Sequence, residues 1–281
     1  MAAPGMASEF YERQDLRGRV VLITGASAGI GEATAWRFAE QGCKLVLAAR
    51  REEKLKALSD DLHAKFPGLE THVLQLDVSD IDKTKSLHET LPAEFREVDI
   101  LVNNAGLALG RNPIDETPLE DALTMMNINV NAVVALTKAF VPGMKTRGRG
   151  HVINLSSTAG HTPYPGGSIY CASKSALTAF SIAVMNDLVA TPIRVTCISP
   201  GNVETDFSVT RFKGDAEKAK AVYENYLPLT AADIADQIIF SATSPAQVQI
   251  ADIISWPTNQ ASPTNLARVG PSLGAPAEPS S

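Results

Sequence analysis

Residues 20–42 read VVLITGASAGIGEATAWRFAEQG, and the change of period inside this stretch decides the fold. VVLITG is a short apolar run with the length of a buried strand. From about Ile30 to Gln41 the apolar residues recur at helical spacing, and Gly42 supplies a stop. Gly25, Gly29 and Gly31 fall in the turn between them. The unit is strand, glycine-rich turn, helix.

The same unit returns along the chain. KLVLAA (44–49) precedes REEKLKALSDDLHAKF (51–66), HVLQL (72–76) precedes DIDKTKSLHETL (80–91), and DILVNN (99–104) precedes a long helical region at 118–145. HVINLSS (151–157) precedes a second long helix at 168–190, and IRVTCIS (193–199) and DIISW (252–256) complete the set of strands. Strands alternating with helices predict an α/β fold, a single Rossmann-type doubly wound domain with a central parallel sheet of about seven strands and helices on both faces. The expected boundaries are an N-terminal extension at 1–17, the domain at 18–265 and a tail at 266–281. Residues 201–230, after the sixth strand, are expected to form a lid over the strand C-termini. From Gly270 the tail reads GPSLGAPAEPSS, a composition expected to be disordered.

Composition narrows the function classes. A net charge of -6 and a pI near 5.4 leave no basic surface for nucleic acid or an anionic membrane. Three cysteines, Cys43, Cys171 and Cys197, are too few for a disulfide framework and lack metal-ligand spacing, so no metal is expected. No apolar run approaches the length of a membrane span, and Glu9, Glu12 and Asp15 make the first residues unlike a targeting peptide. The expectation is a soluble cytoplasmic enzyme acting on a small molecule.

Glycines at a strand-to-helix turn let the backbone approach a pyrophosphate, while the helix N-terminus offers free N–H groups and a positive dipole. The plain alternative is a tight βα connection. After the second strand, where NAD-selective folds place an acid, stand Arg50 and Arg51. Two arginines at a helix N-terminus oppose its dipole unless an anion sits with them. The 2′-phosphate of NADP is that anion, and guanidinium suits its geometry. A solvated charge run, RREEK, is the competing reading.

In SIYCASK (168–174), Tyr170 and Lys174 lie one helical turn apart on one face. Alone the pair means little, because chance gives about 0.2 such spacings in a chain of this composition. Six ordered motifs, however, resemble the short-chain dehydrogenase/reductase family: TGASAGIG (24–31), LDVSD (76–80), NNAG (103–106), NLSSTAG (154–160), YCASK (170–174) and ISPGNVET (198–205). The resemblance covers about residues 18–260. It implies a catalytic set of Ser157, Tyr170, Lys174 and Asn129, with Asn127 and Asn131 as near alternatives that the family register disfavours. It further implies nucleotide contacts from Gly25, Ser27, Gly29, Ile30 and Gly31, from Asp77 and Val78 at the adenine, and from Asn104 and Gly106 at the adenosine ribose. Pro200, Gly201, Val203 and Thr205 would cradle the nicotinamide and its phosphate, and Tyr170 and Lys174 would hold its ribose. FSVTRFKG (207–214), PLTAADIAD (228–236) and IADIISWPTNQASP (250–263) look like the branch of NADP-dependent serine and 3-hydroxy acid dehydrogenases, which are cytosolic homotetramers.

Oxidising an alcohol requires loss of a hydride to the nicotinamide and of a proton to a base. A free tyrosine has a pKa near 10, so Tyr170 needs a neighbouring cation, which Lys174 is placed to supply. Ser157 would hydrogen-bond the substrate oxygen, and Asn129 would hold a water linking Lys174 to solvent. A 3-hydroxy acid also carries a carboxylate, and Arg211 in the expected lid is the candidate cation for it. His161, Tyr164 and Pro165 are placed to line the pocket, with His161 read as ordinary loop packing. Two alternatives to a 3-hydroxy acid dehydrogenase remain: a carbonyl reductase of neutral ketones, diketones or keto esters, and a non-catalytic NADP(H)-binding sensor.

Overall fold

The computed structural model describes residues 13–269. Most of the N-terminal extension and the Gly270–Ser281 tail therefore lie outside the described residues.

Seven strands form one parallel sheet in the order β3-β2-β1-β4-β5-β6-β7, as the alternating pattern predicts. They are β1 (Val20–Thr24), β2 (Lys44–Ala49), β3 (Thr71–Gln75), β4 (Val98–Asn103), β5 (Gly150–Leu155), β6 (Ile193–Pro200) and β7 (Asp252–Ser255). β1 pairs with β2 on one side and β4 on the other, so the chain reverses its direction of winding there. That reversal opens a crevice at the strand C-termini.

Side chains alternate between two cores because a strand repeats every two residues. Val21 and Ile23 join Leu45, Leu47, Val102 and Ile153 beneath Phe38, Leu55, Ile234 and Ile238. Val20 and Leu22 face the other way with Val46, Leu101 and Val152, against Leu136, Phe140 and Met144. The covering helices are α1 (Gly29–Glu40), α2 (Glu52–Lys65), α3 (Leu119–Met126), α4 (Ala132–Arg147), α5 (Ser168–Asp187) and, after the sixth strand, α6 (Phe207–Arg211), α7 (Ala216–Ala221) and α8 (Ala231–Thr243). Gln14 and Leu16 already belong to this body: the Gln14 amide donates to the Thr243 carbonyl at 2.8 Å, and Leu16 is buried.

Three details differ from the sequence reading. DIDKTKSLHETL breaks into the short turns Ile81–Lys85 and Leu87–Thr90, because the Ser86 hydroxyl bonds back to the Asp82 carbonyl at 3.1 Å and competes with the helix. The run at 118–145 contains a π-helical turn, Asn127–Asn131, between α3 and α4. Thirdly, α5 is long and apolar enough by length and composition to cross a membrane, which corrects the expectation that no run approaches that length. Its buried face carries Tyr170, Ser173, Lys174, Thr178 and Ser181, so the apolar character belongs to a core helix built around polar groups.

Residues 201–230 leave the sheet and return. The Leu229 amide donates to the Asn202 carbonyl at 3.0 Å, and the Glu204 amide to the Leu229 carbonyl at 2.9 Å, closing the excursion at its base. Within it, the Tyr223 hydroxyl donates to the Val203 carbonyl at 2.9 Å. This places α6 beside the strand C-termini.

A Cβ on Gly31 would overlap the Gly25 carbonyl oxygen and lie 2.6 Å from Asn104 Nδ2. Gly31→Ala is expected to destabilise the protein by about 2–3 kcal/mol, a Tm drop of roughly 5–10 °C by thermal unfolding. An unchanged Tm would mean that the turn opens without cost.

Candidate active site

The site begins where β1 ends. Thr24 Oγ1 accepts the amides of Asn104 and Ala105, each at 3.0 Å, and Asn104 Nδ2 donates to the Thr24 carbonyl at 2.8 Å. NNAG is thus a brace between β1 and β4 as well as the floor of a cleft. Every residue that the sequence assigns to the nucleotide lines this one cleft except Gly31, which is buried behind it. Ser157, Tyr170 and Lys174 line the same cleft, along with Leu107, Ile128, Phe207 and Thr210, which the motifs did not single out.

At one end, Arg51 forks onto Ser27, with Nε 3.2 Å and an Nη 3.0 Å from the hydroxyl. Arg50 and Arg51 are exposed at the start of α2, and neither makes an ion pair among the described residues. Asp77, across the cleft, accepts the Ser79 amide at 2.9 Å and its hydroxyl at 2.7 Å. Burial works against ionisation of Asp77, yet the Ser79 bonds and the Arg50 charge hold its carboxyl below the usual value. Unpaired guanidiniums at a helix N-terminus, beside a hydroxyl and a glycine turn, fit the phosphates of a dinucleotide.

At the other end stand the groups suited to proton transfer. Ser157, extended at the end of β5, turns its hydroxyl so that it accepts the Ala159 amide at 3.1 Å and donates to the Pro200 carbonyl at 3.4 Å. Burial pushes the Tyr170 phenol up to about 12, opposed first by the Arg211 guanidinium and then by the Ser157 hydroxyl. Arg211 Cζ lies 5.0 Å from the centre of the Tyr170 ring and 5.2 Å from that of Phe207. Its Nε is buried with no hydrogen-bond partner among the described residues. From the sequence, Lys174 is the side chain expected to supply a cation beside Tyr170; the structure also brings Arg211 there.

Lys174 is held deeper. Its Nζ donates to the Leu155 carbonyl at 2.7 Å and lies 5.9 Å from the Tyr170 ring centre. Burial pulls its pKa down to about 8. A Cβ on Gly106 would sit 3.4 Å from this ammonium and 3.2 Å from Asn129 Oδ1, so a bare backbone separates the two side chains. Asn129, buried in the π turn, accepts the Leu107 amide at 2.9 Å and donates to the Leu107 carbonyl at 2.8 Å and to Ser173 Oγ at 3.0 Å. Asn127 turns instead to the Ser79 carbonyl at 3.0 Å, and Asn131 is exposed. Of the three asparagines, only Asn129 is on the Lys174 side.

His161 does more than fill its loop. Its Nε2 lies 3.0 Å from Asp252 Oδ2 and 3.1 Å from Ser199 Oγ, while Ser199 Oγ donates to Asp252 Oδ1 at 2.8 Å. The loop that follows Ser157 is therefore tied to β6 and β7. No motif announced this contact, because its members are distant in the chain.

A profile described as short chain dehydrogenase matches residues 19–216. The chain belongs to the short-chain dehydrogenase family. An NADP-dependent 3-hydroxy acid dehydrogenase of Schizosaccharomyces pombe is 42% identical over 254 residues, covering 90% of this chain and 98% of the relative. A serine 3-dehydrogenase of Rhizobium radiobacter is 42% identical over 240 residues, covering 85% of this chain and 94% of the relative. Among solved structures, the closed form of a serine dehydrogenase complexed with NADP+ superposes with a TM-score of 0.82 at 43% identity, covering 86% of this chain and 96% of that one. Family membership and a cleft of this make-up agree with the fold and family read from the motifs.

The buried ammonium has a measurable consequence. Between about pH 8 and the ordinary lysine value of 10.5, the unfolded chain holds more protons at Lys174 than the folded one. Stability of the parent protein should therefore rise with pH through this window. Lys174→Met lacks that term, so urea unfolding should show the variant favoured at pH 7 by about 3 kcal/mol in this term, shrinking towards pH 10.5. A pH-independent difference would show that burial does not penalise the charge.

Proposed function

We propose that this protein is an NADP-dependent oxidoreductase that interconverts a hydroxyl and a carbonyl on small 3-hydroxy acids such as L-serine or L-allo-threonine. The observation that carries the substrate class is Arg211. Its guanidinium is stacked over the base candidate Tyr170 and keeps a buried Nε without a partner. A guanidinium so placed is suited to a carboxylate close to the reacting carbon, with both charge and orientation matched.

Arg50, Arg51 and Ser27 would hold the adenosine 2′-phosphate, and the turn at Gly25–Gly31 the pyrophosphate. NADP(H), when bound, supplies the hydride acceptor or donor. Tyr170 moves the proton at the substrate oxygen: raised to about 12, its phenol is protonated throughout the neutral range and loaded as the acid for carbonyl reduction. In the oxidising direction Arg211 and Lys174 both favour the phenolate that must accept a proton. Ser157 Oγ is free to orient the same oxygen, since its bond to Pro200 is long at 3.4 Å. Asn129 keeps the helix unwound beside Lys174 and fixes the Leu107 backbone. Residues 201–230 act as a lid that brings Arg211 to Tyr170.

In the cell we read the chain as a cytoplasmic homotetramer. Its three cysteines are free and buried, as a reducing compartment favours. Leu119 and Leu123 on α3 are 67% and 61% exposed, a surface suited to another subunit.

Rates with L-serine plus NADP+ and with a neutral diketone plus NADPH test this reading. Tyr170→Phe should lower kcat by about a thousandfold with both substrates. Arg211→Ala should lower kcat/KM about a hundredfold for the acid, chiefly through KM, and about fivefold or less for the diketone. Equal losses would remove the carboxylate role and favour a carbonyl reductase.

A further inference from the structure

Arg211 is not the only unpaired cation near Tyr170. Tyr164, four residues into the loop after the short turn Thr158–Gly160, packs beside Tyr170, Leu107 and Phe207. Arg211 reaches its phenol, and Arg111 Cζ lies over the face of its ring, 5.3 Å from the centre. Burial pushes the Tyr164 phenol up, and Arg211 and Arg111 both oppose that shift. One aromatic side chain thus meets two guanidiniums, one over its ring and one at its phenol.

Neither guanidinium has an acidic partner among the described residues. Lys213, two residues after Arg211, shows the contrast: it is paired with Asp121 at 2.7 Å. Arg111 is also held in place. Its stem rests on Gly166, where a Cβ would come within 3.1 Å of Arg111 Cγ and of its carbonyl oxygen. The preceding Gly110 amide donates to the Arg211 carbonyl at 2.8 Å, which ties the loop after β4 to the 201–230 segment. A Cβ on Gly167 would overlap the Tyr164 ring, which fixes the aromatic spacer. Arg111 itself is an exposed residue.

Two held cations of like charge, both in contact with Tyr164 and compensated by no acid among the described residues, match a ligand with two anionic ends. We propose that Arg111 is a specificity residue that selects hydroxy acids bearing a second carboxylate, 3-hydroxydicarboxylates and the matching 3-oxodicarboxylates, over monocarboxylates. This rests on the reading above, in which Arg211 takes the carboxylate nearer the reacting carbon. The reaction balances as in any alcohol oxidation: the carbinol C–H leaves as hydride to NADP+, the O–H proton passes to Tyr170, and both carboxylates are unchanged. Arg111 would touch only the second carboxylate, the one not held by Arg211, and takes no part in the bond changes.

The experiment compares 3-hydroxyglutarate and 3-hydroxyadipate with L-serine and 3-hydroxybutyrate, using the purified full chain and NADP+. The parent should show a kcat/KM at least about tenfold higher for one of the dicarboxylates than for either monocarboxylate. Arg111→Ala should lower the dicarboxylate-to-monocarboxylate ratio about tenfold through KM, and Arg111→Lys should restore part of it. Inhibition of diketone reduction gives a readout that needs no turnover of acids: glutarate should inhibit more strongly than butyrate, and Arg111→Ala should erase the difference. A ratio unmoved by Arg111→Ala, an equal loss with all acids, or equal inhibition by glutarate and butyrate would each overturn the proposal. Loss of the carboxylate reading itself is told apart by Arg211→Ala, which would then leave acids and diketone equally affected.

Discussion

Thr24 and Asn104 hold together the ends of two central strands at the point where the sheet reverses its winding. The hydroxyl of Thr24 accepts two successive amides and donates to the Val102 carbonyl at 3.2 Å, while Asn104 returns a bond to the Thr24 carbonyl. Because the glycine turn after Thr24 runs against Asn104, with Gly31 tucked beneath Gly25, the turn, the start of α1 and the NNAG floor form one rigid object. A cleft of defined width follows from this contact, since both of its walls are fixed to the same few hydrogen bonds. Parallel strands ending in such a crevice place loops from different parts of the chain side by side.

The far wall is built on the opposite principle, with polar groups driven into the interior. Lys174, Asn129, Ser173 and Tyr170 are all buried, and Lys174, Asn129 and Ser173 each make hydrogen bonds within the wall. Burying an ammonium is costly, and the same burial shifts the Lys174 pKa downward. The π turn helps to satisfy the cluster. By adding a residue to the helix it directs Asn129 inward, where its amide binds both backbone groups of Leu107. Stability is given up at this wall to keep ionisable groups buried beside the cleft.

Much of this was legible in the sequence because the signals were local. Each strand was a short apolar run, the turn carried its glycines, and Tyr170 and Lys174 shared a helical face by spacing alone. Seven strands and the family followed from those runs and motifs. What the sequence hid were contacts between distant residues. His161 and Asp252 are 91 positions apart, and nothing in either neighbourhood hints at their 3.0 Å pairing. The break at Ser86 was hidden for another reason: a single hydroxyl competing for helix carbonyls leaves the apolar pattern of DIDKTKSLHETL intact. Likewise the composition of α5 suits a lipid-facing helix, and only packing shows that its polar residues point into the protein.

In the proposed reading, Arg211 would join recognition to chemistry. A guanidinium 5.0 Å from the Tyr170 ring favours the phenolate, whereas a carboxylate bound to the same guanidinium offsets part of its charge. An acid substrate bound there would therefore make the Tyr170 phenolate a stronger proton acceptor, and its departure would return the phenol to a more acidic state. Neutral ketones would leave the cation uncompensated and meet a tyrosine that gives up its proton more readily. The same pair of side chains would thus treat the two substrate classes differently in proton transfer as well as in binding. Both parts would fall to Arg211 because α6 sets its guanidinium over the Tyr170 ring, a position that its place in the sequence, 41 residues after Tyr170, does not reveal.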